Sequence, residues 1–254
     1  IWRLLGRGWQ VILSQTTPPK GTVRDWLDAR AQQGGTAFVF PETNEALSWA
    51  ELRDTAKTLA QGLTAQRVEK GESLAIIHPN GKDGVVALYA ALYGGFRATM
   101  INLAAGPDAI AYALNHSGAR FALVHEAQRE TFKSVAPAHM RALNDSRGEA
   151  ALHDLAPKDH ALLMYTSGTT GKPKGVVHSH ASLLAGGWTT AIAHALAPQD
   201  RGFCVLPIYH INGLCVTVMG ALVSGGSLAM ASKFSTSKFW DQADSAKVTW
   251  FSVV

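Results

Sequence analysis

A chain of 254 residues can bury a sizeable core as one large domain or two small ones, and 47% apolar against 17% charged residues excludes intrinsic disorder. The 23 Lys and Arg residues outnumber the 19 Asp and Glu, but they are scattered along the chain, which argues against a basic nucleic-acid-binding arm and for no nucleic-acid partner. The two cysteines, Cys204 and Cys215, have neither a disulfide-framework pattern nor a metal-ligand spacing, so a reducing, cytoplasmic setting is expected.

Residues 1–10 mix Trp2, Arg3, Arg7 and Trp9 without the apolar stretch and small-residue site of a targeting peptide. The first strong element follows at residues 48–66. Its capping box, Ser48-Trp49-Ala50-Glu51, precedes Leu52, Ala56, Leu59 and Leu63 at helical spacing, and predicts an amphipathic helix. After Lys70-Gly71, residues 74–77 read as a buried strand, His78-Pro79-Asn80-Gly81 as a turn, and residues 82–93 as a helix stopped by Gly94-Gly95. A strand over 98–102, a helix after Gly106-Pro107 carrying Ile110 and Leu114, and a strand over 120–124 continue the alternation. Crossover helices each bury one stripe on a sheet, so the pattern predicts an α/β fold, doubly wound, with mainly parallel sheets and helices on both faces.

Residues 125–158 lose the periodicity and gather Pro137, Asn144, Asp145, Gly148 and Pro157, which predicts a surface connection between a first lobe (1–124) and a second (159–254). The second lobe opens on the apolar run 161–164 and then Tyr165-Thr166-Ser167-Gly168-Thr169-Thr170-Gly171-Lys172-Pro173-Lys174-Gly175 before Val176-Val177. This is a strand, a loop and another strand. The loop joins three glycines, four hydroxyls and two lysines with no acidic residue. Glycines let backbone N–H groups approach an anion, and the hydroxyls and ammonium groups add donors and charge, which is the chemistry of a polyphosphate cradle. A Walker A loop is excluded, because Pro173 stands where its second glycine would fall.

Beyond the loop, Ser179 or His180 is expected to open a helix carrying Leu183, Leu184 and Trp188, with Gly186-Gly187 allowing close packing. His178 and His180 have the i,i+2 spacing of one strand face, a possible metal pair that lacks a third ligand. Residues 202–232 contain no Asp, Glu, Lys or Arg, yet Pro207, His210, Asn212, Gly213, Gly220, Gly225 and Gly226 break the run into strand- and helix-sized pieces, so it is read as buried core without a transmembrane segment. Residues 248–254 read as a further core strand, and a start at Ile1 rather than Met leads us to expect more chain in the gene.

The eleven residues Tyr165 to Gly175 resemble the phosphate-binding signature of the AMP-forming acyl-CoA synthetase, adenylation-domain and luciferase superfamily. The resemblance extends through Leu47-Ser48-Trp49-Ala50-Glu51-Leu52, Lys70-Gly71-Glu72-Ser73-Leu74-Ala75, the Pro79-Asn80 turn and Ala113-Leu114-Asn115-His116-Ser117-Gly118-Ala119. It implies that Thr166, Ser167, Gly168, Thr169, Thr170, Gly171 and Lys174 wrap the β- and γ-phosphates of ATP, with Lys172 as a solvated companion and Mg²⁺ sharing the charge. Leu206-Pro207-Ile208-Tyr209-His210-Ile211-Asn212-Gly213 resembles the acyl-pocket segment of the superfamily's acyl- and aryl-CoA ligases, and implies that His210, Asn212 and Gly213 border the acid.

Together with Ser224-Gly225-Gly226-Ser227 and Phe234-Ser235-Thr236-Ser237-Lys238-Phe239-Trp240, that segment favours CoA as the acceptor of the activated acid. A carrier-protein phosphopantetheine is the alternative, and a non-catalytic nucleotide-binding scaffold is the alternative of another class. The implied partners are a small carboxylic acid, ATP and CoA; the oligomeric state is left open, a homodimer included. The superfamily's Mg²⁺-binding acid, ribose-binding aspartate, hinge and carboxy-terminal lysine are expected beyond residue 254, so no catalytic or metal-ligating residue is assigned, and these residues alone are expected to turn over little.

Overall fold

The computed structural model describes residues 17–143, 148–166 and 173–253. Helix α1 (Val23–Gln33) is closed by a capping box in which the Thr22 hydroxyl accepts from the Asp25 backbone N–H and the Asp25 carboxylate accepts from the Thr22 backbone N–H. A hairpin, β1 (Thr36–Phe40) and β2 (Glu45–Ser48), leads into α2 (Trp49–Ala65), whose Ser48–Glu51 box forms as expected. Then come β3 (Ser73–Ile77), α3 (Lys82–Gly94), β4 (Arg97–Met100), α4 (Pro107–His116) and β5 (Phe121–Val124), matching the predicted alternation within a residue or two.

Residues 125–158 hold more than a connection. They form a 3₁₀ turn (Glu126–Gln128), α5 (Arg129–Val135) and β6 (Arg141–Ala142), the last pairing in parallel with β5. The chain continues with β7 (His160–Thr166), β8 (Lys174–Ser179), α6 (His180–Ala193), β9 (Arg201–Cys204), a π-helix (Asn212–Met219) that runs into α7 (Gly220–Ser224), β10 (Ser227–Met230), α8 (Phe239–Ser245) and β11 (Trp250–Phe251). Ser179 is the N-cap of α6.

Two sheets form, in the orders β6-β5-β3-β4-β7-β8 and β11-β9-β10-β1-β2. Every pairing is parallel except the hairpins β7–β8 and β1–β2. Each sheet therefore draws strands from both sides of residues 125–158, so that segment is not a boundary between the two sheets. The alternation of side chains across each strand sorts the core into layers. Leu74, Ile76, Met100, Leu162 and Met164 share one cluster with Phe38, Leu228 and Met230 of the other sheet and with the helices between them. On the far face of the six-stranded sheet, Ala75, Ile77 and Val124 pack on Ile110 and Leu114 of α4 and Phe132 of α5. On the far face of the five-stranded sheet, Phe203, Val205 and Ala229 pack on Phe239 and Ala243 of α8. The order is helix, sheet, helix, sheet, helix.

The core strand expected over 248–254 is reduced to two residues, β11. It pairs only with β9, at the sheet's edge, which leaves Phe251 exposed. Among the described residues no helix is long and apolar enough to cross a membrane; the charge-free run is cut into β9, the π-helix, α7 and β10.

Candidate functional site

Strands β3, β4, β5 and β7 are mutually parallel, so their carboxyl ends share one edge, the usual place for ligands in open α/β sheets. β7 ends there at Thr166, and the chain returns as β8 from Lys174. The two residues face each other as ladder partners, followed inward by Tyr165 and Gly175. Both Thr166 and Lys174 are exposed. The antiparallel ladder thus holds both ends of the glycine- and hydroxyl-rich loop at the carboxyl edge; Ser167, Gly168, Thr169, Thr170, Gly171 and Lys172 lie outside the described residues. Neither strand carries an acidic residue, so a hydroxyl and an ammonium group face the edge without a competing carboxylate, a donor set that suits a polyphosphate.

Beneath this rung sits an aromatic support. The Tyr165 hydroxyl lies 3.1 Å from His116 Nδ1. The two rings meet edge to face at 5.7 Å, and His116 in turn stacks on Tyr112 at 5.4 Å. Burial, with a smaller contribution from Tyr112, pushes the Tyr165 hydroxyl up to about 12, so it keeps its proton. A Cβ on Gly175 would stand 3.0 Å from Leu163 and 3.5 Å from the Tyr165 ring, so glycine lets β8 close over that support.

His178 and His180 do not share a strand face. His178 ends on β8, whereas His180 opens α6, fully buried, with Nδ1 accepting from the Val23 backbone N–H at 3.4 Å. Its Nε2 is buried without a partner, and burial lowers the imidazole to about 4. Among the described residues no group of three or more His, Cys, Asp or Glu could hold a metal ion.

The second predicted segment leaves the carboxyl end of β9. The His210 backbone N–H donates to the Pro207 carbonyl at 3.0 Å, and the Leu214 N–H donates to the His210 carbonyl at 3.0 Å, an α-type bond at the entry to the π-helix. His210 is exposed, and its ring meets Tyr209 edge to face at 5.0 Å. Asn212 is half-buried and accepts from the Ser252 hydroxyl at 2.8 Å. Gly213 is buried, and any Cβ there would fall 2.4 Å from the Pro207 carbonyl oxygen. Thr217 returns its hydroxyl to the Gly213 carbonyl. A π-helix commonly marks a functional position.

Asn80 is a residue whose role the sequence did not reveal. It stands on the turn after β3 and bonds to backbone at Leu206, Ile208 and Ala231, so it ties the carboxyl edge of the six-stranded sheet to that of the five-stranded sheet. The structure places Thr166 and Lys174 on one of these edges and the 206–213 segment on the other. Beside the tie, His78 and His125 meet edge to face at 5.5 Å and line a cavity of about 340 Å³ with Asp83 and Arg129.

The family described as AMP-binding enzyme matches residues 26–254. A sulfoacetate–CoA ligase of Cupriavidus necator is 37% identical over 231 residues, covering 84% of this chain and 45% of that protein. A 2-succinylbenzoate–CoA ligase of Bacillus subtilis is 27% identical over 91% of this chain and 48% of its own length. Among solved structures, the inhibitor-bound N-terminal domain of FACL13 from Mycobacterium tuberculosis superposes with a TM-score of 0.83 at 25% identity, over 92% of this chain and 62% of that one. The o-succinylbenzoate CoA synthetase of Bacillus subtilis, in complex with its acyl-adenylate intermediate, superposes at 0.81 and 26% identity over 93% and 62%. The chain spans about half the length of the curated relatives it matches.

Proposed function

The chain belongs to the AMP-binding enzyme family, and from that premise we propose that its protein activates a carboxylic acid with ATP and transfers the acyl group to the thiol of CoA. The observation that carries the reading is the Thr166–Lys174 rung, which holds both ends of the phosphate-cradle loop at the carboxyl edge of a parallel sheet.

In the first half-reaction a carboxylate oxygen forms a bond to the α-phosphorus, the bond from that phosphorus to the bridging oxygen breaks, and pyrophosphate leaves. Charge grows on the departing group. Thr166 and Lys174, with Ser167, Gly168, Thr169, Thr170, Gly171 and Lys172, hold the β- and γ-phosphates; fixed donors aimed at developing charge are the largest single contribution in such sites. Bound Mg²⁺ would neutralise phosphate charge. In the second half-reaction the thiolate sulfur bonds to the acyl carbon, AMP departs with the electron pair, and the thiol proton passes to solvent. His210, Asn212 and Gly213 border the acid. His210 is an exposed ring at a sheet's carboxyl edge, which supports that role.

Acid-dependent exchange of labelled pyrophosphate into ATP by the full-length protein tests the reading, because exchange needs no acceptor. The panel takes the acids that relatives' names supply: sulfoacetate, 2-succinylbenzoate, ferulate and a long-chain fatty acid. Exchange with one class is the expected result. A folded protein that binds ATP and exchanges with none would be the scaffold instead.

A further inference from the structure

Asn80 is 6% exposed and spends its carboxamide entirely on distant backbone. Nδ2 donates to the Leu206 carbonyl at 3.0 Å and to the Ala231 carbonyl at 3.2 Å, and Oδ1 accepts from the Ile208 N–H at 2.9 Å. All three groups lie just past the ends of β9 and β10, where the ladder stops and backbone polar groups need other partners. Only an amide supplies two donors and an acceptor in so small a side chain. Aspartate accepts only, and serine has one donor.

Those contacts fix the course of residues 206–208. The next links follow from it: the Pro207 carbonyl receives the His210 N–H, and Gly213 packs against the same carbonyl. The Tyr209–His210 ring pair is therefore hung from a turn whose direction Asn80 sets. We infer that Asn80 is a positioning residue for the acid, acting through the 206–208 turn on His210. The inference rests on the proposal that His210 borders the acid.

The test combines kinetics and amide exchange on the full-length protein. In Asn80→Ser the KM for the acid in pyrophosphate exchange should rise about tenfold to a hundredfold, the scale of an ångström-sized misplacement, while the KM for ATP stays within about twofold. In a His210→Ala background the same substitution should have little further effect on the acid, because residues linked through one backbone shift are coupled. Additive losses in the two backgrounds, or equal rises for acid and ATP, would overturn the inference. Hydrogen exchange at the Ile208 amide reads the tether without catalysis. It should be protected in the parent and at least about tenfold faster in Asn80→Ser. Should the variant not fold, an Ile208 amide in the parent that exchanges as fast as the exposed Lys20 amide overturns the tether. Should no acid support exchange in the parent, the ligase reading fails while Ile208 still decides the tether.

Discussion

Lys174 stands exposed on the first rung of β8, where an ammonium group adds little to folding and much to an anion held at the strand end. Lys174→Ala should accordingly leave unfolding free energy within about 0.5 kcal/mol of the parent. Acid-dependent pyrophosphate exchange should fall by about 10² to 10³. Thioester formation from supplied acyl-adenylate should fall less; equal loss in both half-reactions would detach Lys174 from the pyrophosphate side. His210→Ala should instead change the KM for the acid or the order of preferred acids, and an unchanged profile would make the ring a surface residue only. Both could be singled out as candidates from the sequence because each stands in one short stretch of particular residue types in a fixed order, Lys174 in the 165–175 run and His210 in the 206–213 run. Asn80 was not legible in the same way. Its partners lie 126 to 151 residues away, and in the sequence it is one more asparagine in a turn.

Helices with a box and an apolar stripe were read almost to the residue, as α2 shows. Helix α1 carries the same device in Thr22 and Asp25 but buries only Val23 and Leu27, too few apolar positions to make a periodic signal. The π-helix was hidden for the opposite reason, since Leu214, Val216, Val218 and Met219 are apolar without a polar face to set the period. The π-helix is held by contact: the Thr217 hydroxyl bonds the Gly213 carbonyl, and α6 packs closely on the π-helix through Gly186 and Gly187. A Cβ at Gly187 would come within 2.4 Å of the Met219 carbonyl oxygen, which is backbone, whereas one at Gly186 would meet the Cys215 sulfur, which can rotate away. Gly187→Ala should therefore cost about 1–3 kcal/mol and lower the apparent Tm by several degrees. Gly186→Ala should cost less. The reverse order, measured by thermal unfolding of the two variants, would contradict close approach as the reason for the glycine pair.

At the scale of the molecule, the parallel alternation was visible in the sequence, but not the exchange of strands across residues 125–158. The β1–β2 hairpin joins β10, and β7 joins β4, and strand-to-strand choice across such distances leaves no local pattern. That exchange buries His180, while His78 is half-buried among elements of the amino-terminal side alone. His180 is seated between α6 and the start of α1, with Asp159, Asp25, Arg24 and Lys70 around it, and His78 lies at the end of β3 against His125 and Asp83. Burial holds each near 4, below the ordinary 6.5; His125 adds to it at His78, whereas at His180 the Asp159 carboxylate opposes it. An unfolded chain would bind protons at both sites as the pH falls below about 6.5, while the folded chain binds them only near 4. Stability is thus complete above 6.5, declines between 6.5 and 4, and levels off below. Full passage costs on the order of 3 kcal/mol for each histidine, a large share of a typical domain's 5–15 kcal/mol. Asp159 acts in a lower window. Its hydrogen bond and ion pair with Lys70 at 2.8 Å, together with the Ala156 N–H, hold its carboxyl below the ordinary value, so its contribution is lost only as the pH falls through the carboxylate range. Urea unfolding at pH 7.5, 6 and 5 should show the decline in the parent and a shallower one in His180→Asn, which removes one titrating site. A variant with the parent's slope would mean that His180 takes up its proton in the folded chain as readily as in the unfolded one.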